Sequence, residues 1–311
     1  MPRAVLSGLA GVALWLIRHV PWRARRGMAM AIGRRVARAQ RKRHHAAHVN
    51  LTLAFGDRYS DAEKQRIAEQ SFGHFIRCML DAAALIPTLN ARTWHNVVRV
   101  PVADIARLNG HFARGNGVLV MFSHYGNWEL MGAAMPFICR HPVHVVAKRQ
   151  AGWSNPLIEG FRTLTGNKVI YKEGAVRATL KALKANELVG LSIDQNFSQG
   201  IFVPFFGVPA GTVDTLAALA RASGAPIVPL VCTPDGDGAY TGRLLPAVEP
   251  VRTDDKDADI HAITLACFKV LEETIRQRPE FWLWGHKRWK SRPPDERPRR
   301  DFYGHSHQPP A

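Results

Sequence analysis

"GVLVMFSHYGNWEL", residues 117–130, joins three signals in fourteen positions. The apolar run 118–122 is too short for a helix and rich enough in Val and Leu for a strand buried on both faces. It stops at Ser123-His124, and after Gly126 a helix-compatible segment begins with Trp128 and Glu129 in its first turn. Strand, glycine loop and helix are the start of a β-α unit. The histidine sits where the strand ends.

Other short apolar runs repeat the pattern downstream. Strands are predicted at 118–122, 143–147, 168–171, 188–193 and 227–232. Helices are expected between them at about 128–139, 155–165, 174–186 and 212–223, with another at about 258–277. Upstream, Ser60-Asp-Ala-Glu63 is a capping box opening a helix that Pro87 closes. Strands alternating with helices predict an α/β fold with a mostly parallel sheet covered on both faces. In such sheets ligands gather beyond the carboxyl ends of the strands. Three polar groups fall there: His124 after the first strand, Lys148-Arg149 after the second and Asp194-Gln195 after "LVGLSI". "GDGAYTG" (236–242) reads as a hairpin turn rather than a binding loop.

The composition is globular, with 46% apolar and 22% charged residues over 311 positions. Four dispersed cysteines, with no CxxC pair, exclude a zinc ribbon and a disulfide scaffold. The net charge of +17 is unevenly spread. Residues 1–56 hold eleven Lys/Arg and no Asp or Glu; removing that +11 leaves +6 for the other 255 residues. Within this segment, residues 4–17 are uncharged and apolar, about 21 Å of helix against a hydrocarbon core of about 30 Å. A basic stretch follows in which Met28, Ile32 and Val36 recur every four residues while Arg34, Arg35, Arg38 and Arg41 fall on other faces. It reads as an amphipathic helix lying on an anionic bilayer, or as a helix docked on the protein itself with its arginines solvated. Positive charge after the apolar run predicts a cytoplasmic body. The expected organisation is an anchor and basic segment at 1–56, an α/β domain at 57–300 and a surface tail at 301–311. A nucleic-acid binder is disfavoured, because the charge clusters beside an apolar segment and no nucleic-acid module occurs.

The spacing H-x4-E carries little weight alone, since about one such pair is expected by chance in this composition. Its setting gives it meaning. A carboxylate in a first helical turn is stabilised as an anion, and a carboxylate on one imidazole nitrogen leaves the other free to accept a proton. That arrangement suits activation of a substrate hydroxyl. Pinning of the strand–helix turn is the equal alternative. No GxSxG elbow occurs and no cysteine has an evident base beside it, so a covalent acyl-enzyme is not indicated. His44, His45 and His48 lack a neighbouring carboxylate or cysteine and read as surface residues.

Five ordered blocks then carry a resemblance. They are "HHAAHVNLTLAFGD" (44–57), "SHYGNWEL" (123–130), "RQAGWSNPLIEGFR" (149–162), "DQNFSQGIFVPFFGVPAGT" (194–212) and "PEFWLWGHKRWKSRP" (279–293). Across nearly its whole length the chain resembles the late acyltransferases of lipid A biosynthesis, the lauroyl/myristoyl transferases of the lysophospholipid-acyltransferase-like superfamily. The resemblance implies a glycerolipid-acyltransferase-like fold with an N-terminal membrane-associated helical segment. It implies transfer of a fatty acyl chain from acyl carrier protein to a hydroxyl of a lipid A precursor at the cytoplasmic face of a bacterial inner membrane. A related reading replaces the acceptor with another glycolipid or polar lipid and admits acyl-CoA as donor.

By the same resemblance His124 is the general base and Glu129 its orienting partner. Arg149, Asp194 and Gln195 line the substrate site, with Asn127 and Lys148 beside them. The tetrahedral oxyanion is expected to find positive potential at Arg149 or at backbone N–H groups near 126–128. No metal or cofactor is implied, and the partners are carrier protein, glycolipid acceptor and membrane lipid, with no nucleic acid. Trp282, Trp284 and Trp289 are expected in core or interface packing more than in an acyl groove. Lys287, Arg288 and Lys290 read either as carrier-protein contacts or as solvated cations. Lys287 stands where the family usually has arginine, and Ser192-Ile193 where a Leu-Pro pair is usual.

Overall fold

The computed structural model describes residues 15–149, 154–296 and 302–304, with Ser154 and Leu157 described by backbone alone. The apolar run 4–17 lies almost wholly outside those residues.

Strands β1 (Val98–Arg99), β2 (Val118–Phe122), β3 (Val143–Ala147), β4 (Lys168–Tyr171), β5 (Leu188–Ser192), β8 (Ile227–Pro234) and β9 (Tyr240–Leu244) form one sheet in the order β1-β9-β8-β2-β5-β3-β4. All its pairings are parallel except β8 with β9, a hairpin closed by the glycine turn expected near 236–242. The strand at 143–147 is followed in sequence by 168–171, yet β5 inserts between β2 and β3. Strands β6 (Ile201–Phe205) and β7 (Val208–Thr212) make a separate antiparallel hairpin from the "VPFFG" segment.

Period-two alternation explains why β2 reads as a continuous apolar run. Val118 and Val120 face one core with Leu188, Val228 and Leu230; Leu119 and Met121 face another with Val189, Leu191 and Ile227. The short helix α4 (Trp94–Val97) leads into β1, and on the first face lie helices α5 (Val102–Phe112) and α6 (Trp128–Cys139). On the second lie α8 (Ala175–Lys184), α9 (Thr215–Ser223) and α10 (Lys256–Gln277). The mixed α/β architecture with a mostly parallel sheet is thus as the sequence predicts.

The N-terminal helices belong to the same body. Helices α1 (Trp22–Ala39) and α2 (Arg41–Phe55) pack against α3 (Asp61–Leu85), which the Ser60–Glu63 box caps. Ala47, Leu51, Ala54 and Phe55 of α2 enter the core shared with the sheet, so packing is continuous across residue 56. The face that α1 buries is Arg25, Ala29, Gly33 and Ala37, a stripe of mostly small residues, while Met28 and Ile32 point outward. A Cβ at Gly33 would lie 2.3 Å from the Gly73 Cα, so any side chain there pushes the two helices apart. Among the described residues no helix is long and apolar enough to cross a membrane.

A buried ionic cluster fixes the same junction. Asp81 on α3 accepts hydrogen bonds from Arg25 Nε (2.7 Å), Arg77 Nε (3.2 Å) and the Tyr240 hydroxyl (2.6 Å). One carboxylate therefore ties α1, α3 and β9 together in a place shielded from water. Removing one member of such a cluster leaves buried charge unpaired. Asp81→Ala is expected to destabilise the protein by about 3–5 kcal/mol. Equilibrium chemical denaturation checks it, and a loss below about 1 kcal/mol, the range of an exposed ion pair, would contradict it.

Candidate active site

Parallel register builds the centre of the site. Pairing of β2 with β5 sets Phe122 opposite Ser192, and two residues further along each chain come His124 and Asp194. Asp194 Oδ1 accepts from His124 Nδ1 at 2.8 Å, and Oδ2 accepts the His124 backbone N–H at 2.7 Å. Trp282 Nε1 donates to Oδ2 at 3.0 Å and Ser192 Oγ to Oδ1 at 3.2 Å. Asp194 is buried to 2% exposure, and its oxygens are fully engaged.

Electrostatics follow from this geometry. Burial alone would push the Asp194 carboxyl up, but the charge and hydrogen bonds of His124 with the Trp282 indole hold it well below the usual carboxylate range. Burial pushes the His124 imidazole down; the Asp194 charge and hydrogen bond, helped by the Glu129 charge, outweigh that and raise it. Nδ1 is held by the carboxylate. Nε2 faces the rim, where the exposed Gln195 amide lies 3.3 Å away, and Trp128 packs edge-on against the ring at 4.9 Å between centroids.

The carboxylate on His124 is thus Asp194, not Glu129. Glu129 makes a two-point ion pair with Arg162 of helix α7 (Ser154–Thr163), at 2.5 and 3.2 Å. Adjacent residues of an α-helix are about 100° apart. With Trp128 turned onto His124, Glu129 is carried round toward α7 and acts on His124 only through space.

The other expected site residues divide. Gln195 stands at the rim. Lys148 and Arg149 are exposed, and the Arg149 guanidinium stacks 3.8 Å from the centroid of the Tyr171 ring. Asn127 is completely buried and unavailable to a substrate: its Oδ1 caps α6 by accepting the Leu130 N–H, and its own N–H donates to Cys232 O. The Gly126 N–H donates to Phe281 O. Of the loop N–H groups expected to meet an oxyanion near 126–128, those of Gly126 and Asn127 are therefore already committed. Gly126 has φ +63°, and a Cβ there would come within 2.1 Å of Cys232 O, so only glycine closes this loop.

Sequence reasoning missed the frame around the pair. Residues 281–292 wind past it as a belt. Leu283 N–H donates to His124 O at 3.0 Å, Tyr125 bridges Trp282, and Ser71 Oγ donates to Trp282 O. Asn50 Nδ2 donates to the carbonyls of Trp284 and His286. Trp282, Trp284 and Trp289 are all buried, as core packing requires. Arg288 is wholly buried too, neither solvated nor offered to a partner. Its guanidinium donates to Gly211 O and Thr212 Oγ1 between the rings of Phe205 and Phe268. Arg292 donates to Pro209 O, and within the expected tail the buried Tyr303 hydroxyl donates to Asn50 Oδ1, so this residue is held against the body.

All four cysteines are free and buried. Burial raises every thiol, Cys139 to about 11 and Cys267 to about 12, so none is poised as a nucleophile. Among the described residues no group of three His, Cys, Asp or Glu is placed to hold a metal. Under α6, with Trp128, Glu129 and Arg162 among its lining, lies a narrow cavity of about 40 Å³ walled by Val120, Phe122 and Phe161.

Residues 1–291 match the family model described as bacterial lipid A biosynthesis acyltransferase. The chain belongs to this family. It is 29% identical over 305 residues to a lipid A biosynthesis lauroyltransferase of Escherichia coli K12, covering 94% of each chain. It is 26% identical over 308 residues to a lipid A biosynthesis palmitoleoyltransferase of the same strain, covering 95% of this chain and 94% of the other. A phosphatidylinositol mannoside acyltransferase of Mycobacterium tuberculosis (strain CDC 1551 / Oshkosh) is 27% identical over 229 residues, 71% of this chain and 68% of its own. The protein is an acyltransferase.

Two substitutions test how Asp194 and its indole support serve His124 in this acyltransferase. Asp194→Asn removes the charge that raises His124, so the acid limb of the pH–rate profile should move to lower pH while kcat falls by about 10⁴-fold, the loss seen when a histidine base keeps its place but loses its carboxylate. Trp282→Phe should lower kcat with little change in KM, because the indole N–H steadies Asp194 without reaching the rim. Steady-state kinetics from pH 5 to 9 check both. An acid limb that stays in place in Asp194→Asn would contradict the assignment.

Proposed function

We propose that this acyltransferase transfers a fatty acyl chain from acyl carrier protein to a hydroxyl of a lipid A precursor, at the cytoplasmic face of the bacterial inner membrane. The observation carrying the mechanism is the His124–Asp194 pair, with Nδ1 held at 2.8 Å and Nε2 at the open rim. His124 Nε2 takes the proton of the acceptor hydroxyl as its oxygen adds to the thioester carbonyl. The tetrahedral intermediate then expels the thiolate, which recovers that proton from the imidazolium. Asp194 orients the ring and stabilises its charge. Glu129 keeps Arg162 in the wall of the cavity under α6 and adds negative potential near His124. Raised cysteine thiols agree with direct transfer and no acyl-enzyme.

Charge and surface support the partners. Carrier protein and lipid A phosphates are acidic, and this chain is strongly basic. Arg38, Arg41, His44 and His45 line an open depression of about 360 Å³. On the outer side of the first helices, Trp15, Leu16, Met28 and Ile32 are exposed beside the exposed arginines 18, 26, 34 and 35. That combination suits attachment at a bilayer surface. The cavity under α6 is walled by apolar side chains suited to hydrocarbon, although at 40 Å³ it must widen to admit a chain. A mannoside-acylating relative makes another glycolipid the second reading of the acceptor.

The test is purified enzyme with dodecanoyl-acyl carrier protein and a lipid A precursor, read by mass spectrometry. One added acyl chain is expected, and His124→Ala should lower turnover by about 10²–10⁴-fold while leaving the protein folded. Turnover of His124→Ala at the wild-type rate would reject the base. Transfer to a phosphatidylinositol mannoside but not to the lipid A precursor would favour the second acceptor.

A further inference from the structure

Addition of an alkoxide to a thioester places negative charge on the former carbonyl oxygen, and hydrogen-bond donors aimed at that point supply much of the catalysis. Two of the loop donors expected near 126–128 are taken. Gly126 N–H goes to Phe281 O and Asn127 N–H to Cys232 O. Arg162 is clasped by Glu129, and Arg288 is sealed behind the β6–β7 hairpin with its terminal nitrogens bonded to protein. The belt of residues 281–292 offers a further donor.

His286 is placed for it. Its Nε2 accepts the Asn196 backbone N–H at 2.9 Å, so the neutral ring carries its proton on Nδ1. Asn196 directly follows Asp194 and Gln195, whose side chains meet the two nitrogens of His124. The His286 carbonyl is gripped by Asn50 Nδ2 at 2.6 Å and the Arg288 N–H at 2.8 Å, which fixes the backbone behind the ring. His286 is partly exposed, and among the described residues Nδ1 meets no hydrogen-bond partner. Burial drives its imidazole down to about 4; Asp194 opposes this, while the charges of Arg288, His124 and Arg43 add to it. A neutral imidazole whose far nitrogen is fixed can polarise a carbonyl oxygen without giving up its proton.

We infer that His286 is a further catalytic residue, its Nδ1–H donating a hydrogen bond to the thioester oxygen as that oxygen becomes negative. The inference rests on the acyl-transfer reading above. As the acceptor oxygen adds, the carbonyl π electrons move onto the oxygen facing Nδ1. They return to re-form the carbonyl as the carbon–sulfur bond breaks. The Nδ1 proton stays on His286 throughout, and only His124 exchanges a proton with the substrates.

Two amide substitutions separate donation from anchoring. In His286→Asn the side-chain NH2 falls near the position of Nδ1, keeping the donor and losing the acceptor for Asn196. In His286→Gln the amide oxygen can still accept from Asn196, but the Nδ1 donor is gone. With dodecanoyl-acyl carrier protein and a lipid A precursor, His286→Gln should lose about 10²–10³-fold in kcat with KM unchanged. His286→Asn should retain more activity than His286→Gln. The reverse order, or a His286→Gln enzyme close to wild type, would overturn the inference while leaving wild-type transfer, and so the reaction reading, intact. Histidine ¹⁵N NMR on the full-length protein gives an arm that needs no turnover. It should show His286 neutral with its proton on Nδ1 from pH 5 to 8, and a proton on Nε2 or a charged ring at pH 7 would overturn the role.

Discussion

Everything at the rim depends on one buried carboxylate facing one imidazole across two neighbouring parallel strands. Asp194 is removed from water, which penalises its charge, and four hydrogen bonds repay that penalty. Two of those bonds come from His124 itself, one from its ring and one from its backbone. The carboxylate therefore fixes where the loop after β2 lies as well as which ring nitrogen carries the proton. A low-dielectric setting strengthens both effects. Nε2 is left as the one ring nitrogen open to a substrate, with a basicity raised above that of an ordinary histidine.

The belt of residues 281–292 explains why the centre can be this rigid while opening on solvent. Strand-end loops are the natural place for chemistry and the natural place for motion. Here the His124 loop is tied through its carbonyl to Leu283 and through Gly126 to Phe281. The Asp194 loop is tied through Trp282 and His286, and through Asn196 to Ser291. The belt in turn rests on α2 and α3, by Asn50 and Ser71, and on the β6–β7 hairpin, by Arg288. The tryptophans and cations of that segment serve the frame of the site more than its surface. Helix α2 belongs to this frame through Asn50, and α1 is tied to α3 by the Asp81 cluster.

Much of this was legible in the sequence, for identifiable reasons. Strands buried on both faces announce themselves as short apolar runs, and the five read from them are β2, β3, β4, β5 and β8. Two-residue β1 and the β6, β7 and β9 segments, with Pro, Gly and polar residues mixed in, carry no such signal. His124 and Asp194 were each legible as strand-end groups, but their pairing was not. Which strands are neighbours is settled by packing across the whole sheet, and β5 comes to lie beside β2 although β3 and β4 intervene in the chain. Glu129 is close to His124 in sequence, but the turn of the helix sends it to Arg162, the last residue of the 149–162 block, which nothing in the sequence marks as its partner. The basic N-terminal helix was read by its larger apolar residues, whereas close helix packing selects small ones such as Gly33 and Ala29.

The most direct test of the central claim is a histidine ¹⁵N NMR titration of His124 in the wild-type protein beside Asp194→Asn and Glu129→Gln. The account predicts a neutral His124 with its proton on Nδ1 and a titration midpoint above the ordinary 6.5 in the wild type. The midpoint should fall clearly in Asp194→Asn and only slightly in Glu129→Gln. A neutral tautomer with the proton on Nε2, or a midpoint that responds to Glu129 and ignores Asp194, would contradict it.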